Sequence, residues 1–110
     1  MPTTEAGLVW AITKAIRKSC PDCWVLKVHG GPFQTAGVPD LLLCVGGVLV
    51  GLEIKFQRPG ESTAHAVART TPQQQVQIDR INRSGGIAAT VTTVAEVLGL
   101  IDRAREKAHQ

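Results

Sequence analysis

Apolar positions recur along the chain with two different periods, and the switches between them mark out the elements. From Thr4 to Ser19, Leu8, Val9, Ile12, Ala15 and Ile16 fall on one stripe at helical spacing, and Pro21 ends that helix. Trp24 to His29 alternates instead, with Trp24, Leu26 and Val28 on one face and Val25, Lys27 and His29 on the other, which predicts a strand. Gly30 to Val38 carries Gly30-Gly31-Pro32 and Gly37 and reads as a loop. Two continuous apolar runs, Leu41 to Val45 and Val48 to Leu52, flank Gly46-Gly47, the signal of a two-residue hairpin between strands covered on both faces. Gln57 to Thr70 has no period and reads as a long loop. A second helix spans Thr71 to Ser84, with Thr71 as N-cap, Pro72 at its first position and Gly85-Gly86 at its end. Ile87 to Thr92 is a short strand. Thr93 to Glu96 is a capping box opening a last helix with Val94, Val97, Leu98, Ile101 and Ala104 inward. The order is α-β-β-β-α-β-α, one α/β domain over residues 1–110.

The hairpin fixes a register. If Val45 faces Val48, counting back puts Asp40 directly opposite Glu53, where like charges repel and weaken the pairing. Lys55 shares the face of Glu53, while Ile54 points into the core. Two carboxylates and an ammonium thus converge at one strand end. A hard divalent cation, usually held by one or two carboxylates together with phosphate, relieves that repulsion and makes the end a hydrolytic site for a phosphodiester. The competing readings are that Asp40 merely starts a strand after Pro39 with Glu53 and Lys55 on a solvated edge, or that a bulge shifts the register by one.

Composition narrows the class. A hydrophobic content of 44% and a charged content of 19% are ordinary globular values, and a net charge of +3 favours a polyanionic partner only mildly. No apolar run is long enough to serve as a signal peptide or to span a membrane, so a cytosolic protein is expected. Three cysteines do not make a disulfide framework, and the Cys20-Pro21-Asp22-Cys23 motif lacks the two further ligands of a zinc site and the following helix of a redox motif.

Several other residues carry two readings. Glu5 continues the inward stripe of the first helix, which either brings it to the metal site or leaves it complementing the helix dipole. Gln74 completes a capping box with Thr71, yet with Ile78 and Ile81 it also lies on the stripe that faces the sheet, so it belongs either to the cap or to the site. Lys27 and Gln34 stand within reach of phosphates, although a solvated lysine is the plain alternative. Arg58 and Arg69 in the long loop would clamp a phosphate backbone, and His65 is a further general-base candidate. Trp10 and Val76 fall off the main apolar stripes of their helices, which makes each either core or a pairing surface.

Taken together, the helix with Glu5, the stretch WVLKVHGGPFQTAGVPDLLL, the GLEIKF strand, the TPQQ helix start and the RINRSGGIAATV segment resemble the VRR-NUC family. This is a branch of the PD-(D/E)XK superfamily with a restriction-endonuclease-like fold, a central mixed sheet flanked by helices. The likeness covers nearly the whole chain and corresponds to the short stand-alone form of phages and bacteria. It implies that Asp40, Glu53 and the Ile54 carbonyl bind Mg²⁺ or Mn²⁺, that Lys55 positions the attacking water, and that Gln74 and Glu5 support the site. The expected function is that of a metal-dependent DNA endonuclease acting on branched structures such as four-way junctions, as a homodimer. It would work in the cytoplasm of a bacterium or a phage-infected host cell. The alternatives are a monomeric flap or nicking nuclease, a catalytically silent DNA-binding module and a thiol-metal protein.

Overall fold

A computed structural model describes residues 2–32 and 34–110. Helix α1, Glu5–Ser19, starts where the Thr4 hydroxyl accepts the Gly7 N–H and buries Leu8, Ile12 and Ile16. Strands β1 (Trp24–Lys27), β2 (Leu41–Val45) and β3 (Val48–Ile54) form an antiparallel meander. After α2 (Thr63–Val67) and α3 (Pro72–Arg83), strand β4 (Ile87–Val91) returns parallel to β3, and α4 (Val94–Ala108) closes the chain. The sheet order is β1-β2-β3-β4, a mixed sheet.

The hairpin behaves as counting requires. Val45 pairs with Val48 and Leu41 with Leu52, and the two turn glycines have φ of 58° and 87°. Two successive positive φ values are those of a type I′ turn, whose twist suits the strands it joins.

Leu41, Leu43 and Val45 pair with Leu52, Val50 and Val48 on the face covered by α1 and α4, where the main core lies. On the opposite face α3 covers β3 and β4. A side chain on Gly51 would meet Ile81 at 3.0 Å and Pro39 at 3.1 Å. The helix does not reach across the whole face. Trp24 lies opposite Cys44, which lies opposite Leu49, so all three project from the uncovered part.

Three expectations are corrected here. The β1 strand stops at Lys27 rather than His29, and its more apolar face is the open one, with Trp24 55% and Leu26 45% exposed. Of the two hairpin strands only β3 is buried on both faces, from Val50 onward, whereas Leu42 and Cys44 of β2 are half-buried. The segment after Phe56 is not all loop, because Ser62 caps the short α2. Five residues give too little periodicity for a helix to announce itself.

Candidate active site

The site grows from the end of the hairpin opposite its turn. Beyond the last β2–β3 pair the chain places Asp40 beside Glu53, and one Asp40 oxygen, Oδ2, accepts the Ile54 N–H at 2.7 Å. That bond is the first compensation for putting a carboxylate at the strand end. Glu53 is almost fully buried, and its Oε2 lies 3.4 Å from Lys55 Nζ. Its other oxygen, Oε1, is buried without any hydrogen-bond partner. Burial first and then the neighbouring Asp40 raise the Glu53 pKa to about 7, with Lys55 offsetting only part of the rise.

A buried carboxylate oxygen left unpaired is costly and therefore informative. The Glu53 carboxyl stands beside that of Asp40, and no protein donor pairs with its Oε1. The pair fits a hard cation, with Asp40, Glu53 and the Ile54 carbonyl as the oxygen set. Among the described residues, no three His, Cys, Asp or Glu side chains converge to hold a metal by themselves. Two carboxylates and one carbonyl would leave coordination positions of such a cation open.

Asp40 is delivered by a loop pinned to the start of α3. Gly37 has φ of 83°, and a side chain there would lie 2.3 Å from the Gln73 carbonyl oxygen and 2.7 Å from the Gln74 nitrogen. The loop before Pro39 and the first turn of α3 are thus in backbone contact, which holds Gln74 near the approach to Asp40. The Gln74 side chain itself accepts the Thr71 N–H at 2.9 Å, while Thr71 Oγ1 accepts the Gln74 N–H at 3.2 Å. The structure therefore places the amide in the capping box. Gln74→Ala is expected to lower stability by about 1 kcal/mol, as loss of a cap does, and Gln74→Glu to keep it. Thermal melts of both proteins check this, and equal melts for the Ala and parent proteins would remove the cap.

The remaining candidates separate. Glu5 is exposed rather than inward, but with Ala6, Val9, Trp10, Thr13, Lys27, Val28 and Asp40 it lines one groove between α1 and β1. Glu5, Lys27 and Asp40 are thereby brought to one surface. Gln34 is exposed in its loop, where its N–H donates to the Gly31 carbonyl at 3.1 Å. Arg58 is exposed beside a different cavity, lined also by Phe56 and Thr92.

Arg69 is not a free charge. Its guanidinium donates to the Phe56 carbonyl and pairs with Glu61 Oε1 at 3.0 Å. Glu61 also accepts the Arg58 N–H at 3.0 Å and faces His65 Nδ1 at 3.3 Å. The Arg58 N–H, then Arg69, hold the Glu61 carboxyl below the usual range. Arg69 and His65 thus staple the segment after β3 in place.

Sequence reasoning missed Thr90, which lies opposite Glu53 on β4 and whose hydroxyl is 2.7 Å from that of Thr70. This contact ties the α2–α3 connection to the strand beside the site. Two isolated threonines, 20 residues apart, carry no pattern that would reveal it.

The cysteines stay outside the site. Cys20 is buried and Cys23 half-buried, all three thiols are free, and burial followed by the adjacent Cys20 pushes the Cys23 pKa up to about 12. Such a thiol is a poor nucleophile at neutral pH.

With this geometry in hand, comparison with known proteins bears on architecture. A solved structure described as a VRR_NUC domain protein superposes with a TM-score of 0.66 at 17% identity, over 94% of this chain and 89% of that one. Another, described as a VRR_NUC domain, gives 0.58 at 23% identity, over 84% of this chain and 92% of that one. The chain has the VRR_NUC fold. No family model and no curated protein matches it. Within the VRR_NUC fold, the four-stranded mixed sheet with its flanking helices is the scaffold on which Asp40, Glu53 and Lys55 stand.

Proposed function

We propose that the chain is a metal-dependent endonuclease that hydrolyses DNA phosphodiesters. The observation that carries the reading is the buried, unpartnered Glu53 Oε1 beside Asp40, with Lys55 on the same carboxylate. Asp40, Glu53 and the Ile54 carbonyl would hold Mg²⁺ or Mn²⁺. The cation supplies charge neutralisation and Lewis-acid polarisation of the scissile phosphate. Lys55, held by Glu53 at the strand end, orients the attacking water and balances charge that develops on the phosphoryl oxygens. Exposed Lys27 and the Arg58 side chain supply the backbone contacts that give salt-dependent affinity, and Gln34 adds a neutral one. The VRR_NUC name of the fold neighbours agrees with a nuclease. A catalytically silent binding module would have no use for two acids and a lysine kept at such desolvation cost.

The substrate we favour is branched DNA, cut by a homodimer. Resolving a four-way junction takes two incisions, and two-fold pairing is the commonest way to supply a second identical site. The surface for pairing is the open part of the sheet, where Trp24, Leu26 and Leu49 project together. Trp10 and Val76 are also surface residues, 65% and 51% exposed. No helix among the described residues is long and apolar enough to cross a membrane.

The deciding experiment is cleavage with Mg²⁺ or Mn²⁺ on single-stranded, duplex, nicked, flap and four-way-junction DNA, with light scattering on the same protein. Paired incisions in junctions by a dimer, abolished by EDTA, are expected. A monomer that cuts flaps or nicks and leaves junctions intact makes the protein a structure-specific nickase, and no cleavage of any DNA ends the nuclease reading.

A further inference from the structure

Trp10 stands where an apolar residue has no structural reason to be. Its indole is 65% exposed on α1, outside the stripe of Leu8, Ile12 and Ile16 that packs on the sheet. The Lys14 ammonium lies 4.9 Å from the ring centroid, a cation–π contact that fixes the ring without covering it. The indole borders the groove of about 570 Å³ that runs between α1 and β1, past Lys27, to Asp40. From Glu5 to Thr13 the helical wall of this groove is about 12 Å long, at 1.5 Å per residue.

We propose that Trp10 is a stacking platform for an unpaired nucleobase of the DNA strand being cut, with Lys14 and Lys27 taking the phosphates on either side. The proposal rests on the nuclease reading and adds to it the part of the substrate that reaches beyond the scissile phosphate. A base pair inside a duplex has no free face to offer. A flap, a junction arm that has opened, or a single-stranded tail does, and every base stacks whatever its identity. With Lys14 on one face of the indole, the other takes the base.

Charge complementarity sets the direction. Lys14 on α1 and Lys27 on β1 make the two walls of the groove attractive to phosphate, whereas Glu5 and Asp40 mark an acidic end that accepts DNA only with a cation present. The strand therefore enters past Trp10 and delivers its phosphate to Asp40 and Glu53. A second copy of this chain could also cover an exposed tryptophan, but the open sheet face offers it a larger apolar area with no lysine to desolvate.

The test uses single-stranded and flapped oligonucleotides in which one abasic residue is moved stepwise away from the cleaved phosphate. Binding is read in an Asp40→Asn background, and quenching of Trp10 fluorescence is read in Trp24→Phe protein. At one position the abasic residue is expected to weaken binding roughly tenfold, within the range for one stacked base, and to abolish the quenching. Trp10→Ala should weaken binding of the intact strand by a similar factor and add nothing to the abasic effect, while Trp10→Phe retains part of the affinity. Equal binding of abasic and intact strands at every position overturns the proposal. So does a Trp10→Ala protein that binds DNA normally but no longer dimerises in light scattering, which would assign the ring to a chain–chain contact. Cleavage by the unmodified protein is scored separately, so failure of the nuclease reading is seen as absence of any product, not as loss of the abasic effect.

Discussion

Glu53→Gln is expected to remove cleavage and, in metal-free protein at pH 8, to raise the melting temperature. Loss of a proposed metal ligand should cost at least the roughly 100-fold seen at the upper end for outer-shell partners. The stability change follows from the Glu53 pKa, about 7 in the fold against an ordinary 4.5. Between those values the folded state holds a proton that the unfolded chain has released, so stability falls as pH rises from 4.5 and the full penalty is present above 7. A shift of that size corresponds to about 3 kcal/mol. The amide carries no such penalty and can donate to Asp40, and the Lys55 contact at 3.4 Å is already contained in that shift, since Lys55 lowers the Glu53 pKa. A gain of about 3 kcal/mol at pH 8 is expected, and it should nearly vanish at pH 4.5, where Glu53 in the fold is as neutral as the amide. Melts in EDTA at the two pH values read it directly. Mg²⁺ should stabilise the parent at pH 8 and leave the variant unchanged, since only a ligand bound by the native state shifts the transition. Retained cleavage, or the same gain at both pH values, would refute the site.

The parts of this fold that could be read from the chain are those fixed by local rules. Gly46-Gly47 determines the hairpin register, and continuing that register leads Asp40 to Glu53 and places Lys55 on the same face. Thr4, Thr71 and Thr93 mark the helix starts because capping is a contact within four residues. What stayed illegible depends on contacts between distant segments. Whether Arg69 is free for phosphate is decided by Glu61 and the Phe56 carbonyl, and nothing in the spacing of those residues announces it. The apolar face of β1 looks like core in the sequence, yet β1 is an edge strand and α3 stops short of it. Periodicity tells which residues share a face, but coverage of that face is a property of the assembled layers. For Gln74 both readings were visible, and the capping hydrogen bonds locate the amide without requiring it to touch the reacting groups.

Gly37→Ala is expected to destabilise the protein by about 3 kcal/mol and to impair cleavage even where the chain is still folded. Two costs add at this residue. With φ at 83°, any side chain is held in a left-handed conformation that costs about 1 kcal/mol. The new Cβ would also lie 2.3 Å from the Gln73 carbonyl oxygen and 2.4 Å from its carbon, contacts with backbone that no rotamer can relieve. Overpacking of this kind costs 1–3 kcal/mol because the elements must move apart. The elements in question are the first turn of α3 and the loop that ends at Asp40, so the same displacement misplaces a carboxylate whose Oδ2 is fixed 2.7 Å from the Ile54 nitrogen. Gly47→Ala is the matched control. Its φ is 87° and nothing lies within 4 Å of its Cβ, so it carries the conformational cost without the clash, at the end of the hairpin remote from Asp40. A melting temperature lower by 10 °C or more for Gly37→Ala is expected, since 1 kcal/mol is worth about 4–8 °C in a domain of this size. The Gly47→Ala protein should lose only a few degrees and cleave DNA at the parental rate. If both alanines cost the same and both leave cleavage intact, the close contact between the Gly37 loop and α3 is not what positions Asp40.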